Sequence, residues 1–383
     1  MRNRLSLLLA SSFVLSAVAS FAQSGSVSAQ SKADVAVLLP DSKSSVRWET
    51  QDRRFLEAAF KAAGVTYSIV NAEGDKATQQ TQAEAAISNG AKVILLVDLD
   101  AGSGATIIDE AHKAKAAVID YDRLTIAGPG ADYYVSFDNG AVGALQGNGL
   151  VAAVTAAGIK TPRVAILNGS PTDNNATLFS AGAHTILDPL FTAKTYTKVA
   201  EQAVPGWDNQ QALTIFEQML TTTNNGIDAV LAANDGLAGA VISALKNQKL
   251  KPVPLTGQDA TATGIQYILS GWQSMTVYKA IKAEANSAAA LAIAIVKGTD
   301  TKALATGLVD QTASGKNAGG KAKMPAVLLT PVSVTKDNVA STVIADGFLA
   351  WSDICIGDFA QYCPADAMAA ATMAPTMAAT AAK

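Results

Sequence analysis

The chain has 383 residues, of which 49% are hydrophobic and 16% charged, with a formal net charge of −3. That supplies cores for about two domains of ordinary size and excludes a wholly disordered chain. The near-balanced charge excludes a broad nucleic-acid surface, and two His with two Cys leave little for a Cys/His zinc site, a histidine triad or a disulfide-dense scaffold.

The chain opens on a short basic stretch, MRNR, followed by an uncharged apolar run over 5–19 and two small-x-small steps, AVA and SFA. The pattern predicts a signal peptide over residues 1–22, cleaved after Ala22. A buried N-terminal helix is the alternative. The apolar run is short for a membrane span, which needs about 20 residues. No Cys stands near the cleavage point, so no lipid anchor is expected. The mature chain is placed in the periplasm as a soluble protein.

From residue 34 onward, strand-like and helical runs alternate. DVAVLLP at 34–40 reads as a buried strand. A helix is predicted over 46–63, with Phe55, Leu56, Ala59 and Phe60 on one face and Gly64 as its stop. Further strands are predicted at 66–70, 92–97, 117–121, 134–137, 163–167, 195–199, 229–232, 254–257 and 274–278. Helices fill the intervals at 78–89, 105–114, 141–157, 175–187, 210–222, 237–247, 262–269 and 280–296. Residues 299–323 fade into a Gly/Lys/Thr loop. Cys355 and Cys363 follow in CIGDFAQYC. In an oxidising compartment they are expected to form one local disulfide, with two buried thiols as the alternative. The Ala/Met/Thr-rich end, 365–383, reads as a low-complexity tail.

Alternating strands and helices signal parallel, doubly wound α/β sheets. There are too many strands for one such sheet, so two Rossmann-like lobes are predicted. The first takes 33–139 plus 277–323, and the second 140–276 plus 324–364. The chain then crosses between lobes near 138–141, near 274–277 and after about 323.

Ligands of open α/β sheets sit beyond the carboxyl ends of the strands. The residues there are rich in Asp, Asn, Arg and Trp. That set suits a neutral polyol: carboxylates accept from hydroxyls, Arg and Lys donate, and Asn does both. Trp48 and Trp207 offer flat faces for the apolar side of a pyranose. Each residue also has a blander reading. Asp41, Asp98 and Asp235 could be helix N-caps, Asp122 and Arg123 an edge ion pair, and Trp48 core. Short glycine-rich pieces lack the P-loop and dinucleotide spacings, Ser170 is not in a nucleophile elbow, and His112 and His184 read as helix-surface residues. No cofactor and no metal are expected.

The strings VRWETQDRRF, YDR, YYVSFDN, GSPTDNNA, PGWD, AANDGLAGA, TGQDA and MTVYKAI resemble, in that order, the xylose-binding members of the periplasmic sugar-binding proteins. These are type I solute-binding proteins of ABC importers. The resemblance implies two lobes joined by a three-strand hinge, with the ligand in the interlobe cleft. It implies sugar contacts at Arg47, Trp48, Asp122, Arg123, Asp173, Asn175, Trp207, Asn234, Asp259 and Lys279. The implied ligand is D-xylose or a related aldopyranose such as glucose, arabinose or galactose. The implied partners are a membrane permease and, in some settings, a chemoreceptor or sensor kinase. A secreted sugar-processing enzyme is the competing class. A glycosidase needs a carboxylic acid opposite a second carboxylate, and the cations expected around Asp173 and Asp259 suit acceptors rather than a proton donor. A sugar-responsive transcription regulator is disfavoured by the leader.

Overall fold

The computed structural model describes residues 32–312, 320–365 and 367. The predicted leader at 1–22, residues 313–319 of the predicted loop and most of the predicted tail lie outside the described residues.

The first lobe starts with five strands: β1 (Val35–Leu39), β2 (Tyr67–Asn71), β3 (Val93–Leu96), β4 (Ala117–Tyr121) and β5 (Tyr133–Phe137). They pair in parallel in the order β2-β1-β3-β4-β5. Every residue of β1 and β3 is buried, as a parallel sheet covered by helices on both faces demands. The helices between them are α1 (Arg53–Ala63), α2 (Lys76–Ser88) and α3 (Ala101–Lys113). A wider helical turn, Trp48–Asp52, leads into α1, and Gly64 ends it with φ 65°, the left-handed stop that glycine favours.

After β5 the chain passes into the second lobe through α4 (Asn139–Ala156). There follow β6 (Arg163–Asn168), α5 (Asn174–Thr192), β7 (Thr197–Ala203), α6 (Asn209–Thr222), β8 (Ala229–Ala232), α7 (Asp235–Asn247) and α8 (Ala262–Leu269). The sheet order is β7-β6-β8, all parallel. Helices α4 and α5 pack backbone to backbone: a Cβ on Gly143 would stand 1.9 Å from the carbonyl oxygen of Phe179. This contact anchors α5, whose N-terminus faces the cleft.

The strand predicted at 254–257 is reduced to a single bridge between Leu255 and Val230. Pro252 and Pro254 remove the N–H groups a longer ladder needs. Its backbone still joins the sheet to β9 (Thr276–Tyr278), since Val277 N donates to Gly257 O and Asp259 N to Val277 O.

The chain then returns to the first lobe as α9 (Ile281–Lys297), whose buried face joins the first-lobe core. Two strands follow, β10 (Gly307–Val309) and β11 (Met324–Leu329). β11 pairs in parallel with β5 and antiparallel with β10. Residues 324–329 therefore belong to the first lobe, not to the second as expected from the sequence. The stretch AVLLTPVSV reads as one apolar run, and only its pairing shows where it divides. The division falls at 330–331, beyond which β12 (Val332–Val334) pairs with β9. The predicted loop at 299–323 likewise contains β10. Cys355 and Cys363 form the expected disulfide, just after the short helix α10 (Trp351–Ile354).

Candidate functional site

Several strands of both lobes deliver the residues that follow them to the space between the lobes. From the first lobe, the turn after β1 brings Ser44, Ser45, Arg47 and Trp48, and the turn after β4 brings Asp122 and Arg123. From the second lobe come Asp173 and Asn175 after β6, Trp207 after β7, Asn234 after β8, and Gln258 and Asp259 before β9. Lys279 follows β9 at a lobe crossing. All of these, with Phe179 of α5, line one cavity of about 330 Å³ including its mouth. All ten residues singled out from the sequence meet here.

Arg47 is held on three sides. Its Nε and Nη2 reach the two oxygens of Asp52 at 2.9 and 2.8 Å, Nη1 reaches Asp122 Oδ2 at 2.8 Å, and Nη2 also reaches Glu284 Oε2 at 2.8 Å. Tyr121 donates its hydroxyl to Asp52 at 2.6 Å. All these side chains are buried. Burial alone would raise the Asp122 carboxyl, but Lys279, Arg47 and Arg123 outweigh it and hold it well below the usual carboxylate range. Burial lifts Glu284 well above its ordinary value against the pull of Arg47, with Asp122 and Asp52 adding to the rise. Glu284, on α9, is a residue that sequence reasoning missed.

Lys279 Nζ stands between the lobes, 3.5 Å from Asp122 and 3.3 Å from Asp259. Arg123 Nη1 donates to the backbone carbonyl of Asp98 at 3.0 Å, and its Nε lies 3.4 Å from Asp173 Oδ2. Asp122 and Arg123 thus serve different partners and are not an edge pair. Asp98 is buried beneath them, and burial pushes its carboxyl up to about 7, with Arg123 opposing and Asp173 adding to the rise.

The two indoles come from opposite lobes. Trp48 packs into the first-lobe core while lining the cavity, so the core and ligand readings both hold for it. The Arg47 guanidinium lies 4.3 Å from its ring centre. Trp207 donates from Nε1 to Asp173 at 3.0 Å and meets Phe179 edge-on at 6.4 Å. Its ring lies on Gly169, where a Cβ would fall 2.0 Å from the indole. Asp173 and Asn234 double as helix caps, accepting from Asn175 N and Leu237 N.

Asp235 departs from its expected cap role. It is the first residue of α7, and its buried carboxylate accepts from Thr261, Gln273 and Thr276. Burial raises it to about 7, against the hydrogen bond from Gln273. His112 contacts Asp132, and His184 lies between Asp188 and Glu201, both away from the cleft.

Asp122, Trp207 and Asp259 have φ of 63°, 56° and 91°. Such backbone costs about 1–3 kcal/mol per residue and concentrates where function fixes a side chain. Three cations, Arg47, Arg123 and Lys279, face three carboxylates, Asp122, Asp173 and Asp259, around the cavity. The formal charges cancel, which favours a neutral polar ligand over an ion. Among the described residues no helix is long and apolar enough to cross a membrane, and no His/Cys/Asp/Glu group could hold a metal ion.

Residues 35–300 match the family model of the periplasmic binding protein domain. The chain is 38% identical to the D-xylose-binding periplasmic protein of Escherichia coli over 303 residues, which cover 79% of this chain and 87% of that one. It is 30% identical to a multiple sugar-binding periplasmic receptor of Rhizobium radiobacter, over 84% of this chain and 92% of that one. Among solved structures, a carbohydrate transporter solute-binding protein of Chloroflexus aurantiacus in complex with D-glucose superposes with a TM-score of 0.75. Its identity is 29%, covering 85% of this chain and 98% of that one. With two α/β lobes around a shared polar cleft and a family match over most of its length, this chain belongs to the periplasmic binding proteins of the sugar-binding kind.

Proposed function

We propose that this chain is an exported receptor for a free monosaccharide, D-xylose or a closely related aldopyranose, which it hands to the permease of an ABC importer. The observation that carries this reading is the convergence of two indoles from opposite lobes with three cations and three carboxylates around one cavity. Vicinal hydroxyls each donate and accept, and such alternating charged partners bind them through many oriented bonds. The 38% identity to a D-xylose-binding protein supports a pentose. The leader read from the sequence supports the periplasm.

The site binds rather than reacts. Asp122 is held ionised by Lys279, Arg47 and Arg123, which makes it an acceptor for hydroxyls and a poor proton donor. Calorimetry across xylose, arabinose, glucose, galactose and ribose tests the reading. Micromolar or tighter binding of xylose or a near relative is expected, with no turnover of sugars or glycosides. A folded protein that binds no aldose overturns it. The likeness to a multiple sugar-binding receptor favours a second role, presenting bound sugar to a chemoreceptor or sensor kinase. Pull-down of such a receptor only in the presence of sugar would separate that role from transport.

A further inference from the structure

Gln258 lines the cavity beside Asp259 and is 3% exposed. Its Nε2 donates to Asp259 Oδ1 at 3.1 Å. That bond fixes the amide, because the reversed orientation would set two oxygens against each other. Oε1 is then left buried without a hydrogen-bond partner. Of the buried side-chain polar atoms without a hydrogen-bond or ion-pair partner among the described residues, only Gln258 Oε1 and Ser45 Oγ belong to residues lining this cavity. Gln258 is the more deeply buried of the two residues. Buried polar atoms are rarely left unpaired, and this one belongs to a residue of the cavity wall.

We propose that Gln258 Oε1 accepts the proton of one hydroxyl of the bound sugar and is a specificity-determining contact distinct from that of Asp259. The inference rests on the monosaccharide reading. A carboxylate at this place would add a fourth anion to a lining in which three cations already balance three carboxylates. The amide adds an acceptor without charge. It therefore selects for a hydroxyl at one ring position and against a sugar lacking it, because a missing donor leaves a buried carbonyl unpaired.

The test uses the full mature protein and the tightest-binding aldose of the panel, with its series of monodeoxy analogues, by calorimetry. Three proteins are compared: wild type, Gln258→Met and Asp259→Asn. Wild type should lose about tenfold or more for the analogue lacking the selected hydroxyl. Gln258→Met should lose a similar factor for the parent sugar but change little for that analogue. Asp259→Asn should couple to a different hydroxyl. Unchanged affinity in Gln258→Met, an equal loss for every analogue, or coupling to the same hydroxyl as Asp259→Asn overturns the proposal. The last outcome would make Gln258 a positioning residue for Asp259. If Gln258→Met does not fold, a crystal structure of the wild-type complex decides: no sugar oxygen within hydrogen-bonding distance of Oε1 overturns it. A wild type that binds no aldose would instead sink the receptor reading, before any variant is made.

Discussion

Arg47 Nη1 donates to Asp122 Oδ2 at 2.8 Å, and both side chains are buried. The same guanidinium holds Asp52 and Glu284, so one buried cation is shared by three carboxyl groups at the cavity. Removing one partner of a buried ion pair leaves an uncompensated charge, which costs about 3–5 kcal/mol. Arg47→Leu should therefore destabilise the fold as well as weaken binding. Arg47→Lys should recover only part, because an ammonium cannot reproduce the two-pronged contact with Asp52. Glu284→Gln keeps an acceptor oxygen for Arg47 and sheds a carboxyl that burial disfavours, so it should cost about 1 kcal/mol or less. Denaturant unfolding of the three variants checks the order. An Arg47→Leu midpoint equal to wild type would mean that the carboxylates escape to solvent or neutralise freely.

Trp207 and Gly169 make a second test, since the indole occupies the space a side chain at 169 would need. Gly169→Ala should displace the ring, break its bond to Asp173 and lower sugar affinity by about tenfold or more. Intrinsic fluorescence should shift with it. Unchanged affinity would show that the Trp207 face is not part of the binding surface.

Stability should carry a signature of Asp98. Burial raises its carboxyl to about 7 in the folded chain, against about 3.9 when unfolded. Between these values the folded state binds more protons than the unfolded state. The stabilisation is complete below the lower value and is lost as pH rises through the upper one. The unfolding free energy of wild type should thus decline from pH 4 to 7 relative to Asp98→Asn. Parallel curves for the two proteins over that window would rule out a protonated Asp98. Asp235, also raised to about 7 by burial, should behave alike in Asp235→Asn.

Much of this was legible in the sequence, for identifiable reasons. Fully buried parallel strands such as β1 and β3 read as unbroken apolar runs, and polar residues directly after them have little else to do than cap helices or face a cleft. What stayed hidden depends on tertiary pairing. Glu284 looks like any acid on a helix until α9 packs beneath Arg47. Gln258 differs from a loop glutamine only through an oxygen that finds no partner. The lobe boundary at 330–331 depends on β11 choosing β5 as its neighbour. β10 is three residues long inside a glycine- and lysine-rich stretch, too short for any periodicity to show. The left-handed backbone at Asp122, Trp207 and Asp259 leaves no mark in residue type, since none of them is glycine.

Asn175 gives closure a specific handle. It stands on the second lobe, and its Nδ2 donates across the cleft to Asp122 O at 2.9 Å and to Asp122 Oδ1 at 3.2 Å. Its own Oδ1 accepts from Asn139, beside a lobe crossing, at 2.9 Å. Other cross-lobe contacts at the cavity are longer, among them Arg123 to Asp173 at 3.4 Å and Asn234 to Ser44 O at 3.5 Å. A bound sugar touching both indoles would add contacts that exist only when the lobes meet, so it must shift the population towards the closed form. X-ray scattering of the wild type should show the radius of gyration fall on saturation with sugar. Asn175→Leu removes the short bridge, so the free protein should be more open and the fall on binding larger. Affinity should drop, because more of the ligand's binding energy goes into bringing the lobes together. A scattering curve that sugar leaves unchanged, in a wild type that binds it, would rule out lobe closure and leave a rigid cleft whose signal to the permease must lie elsewhere.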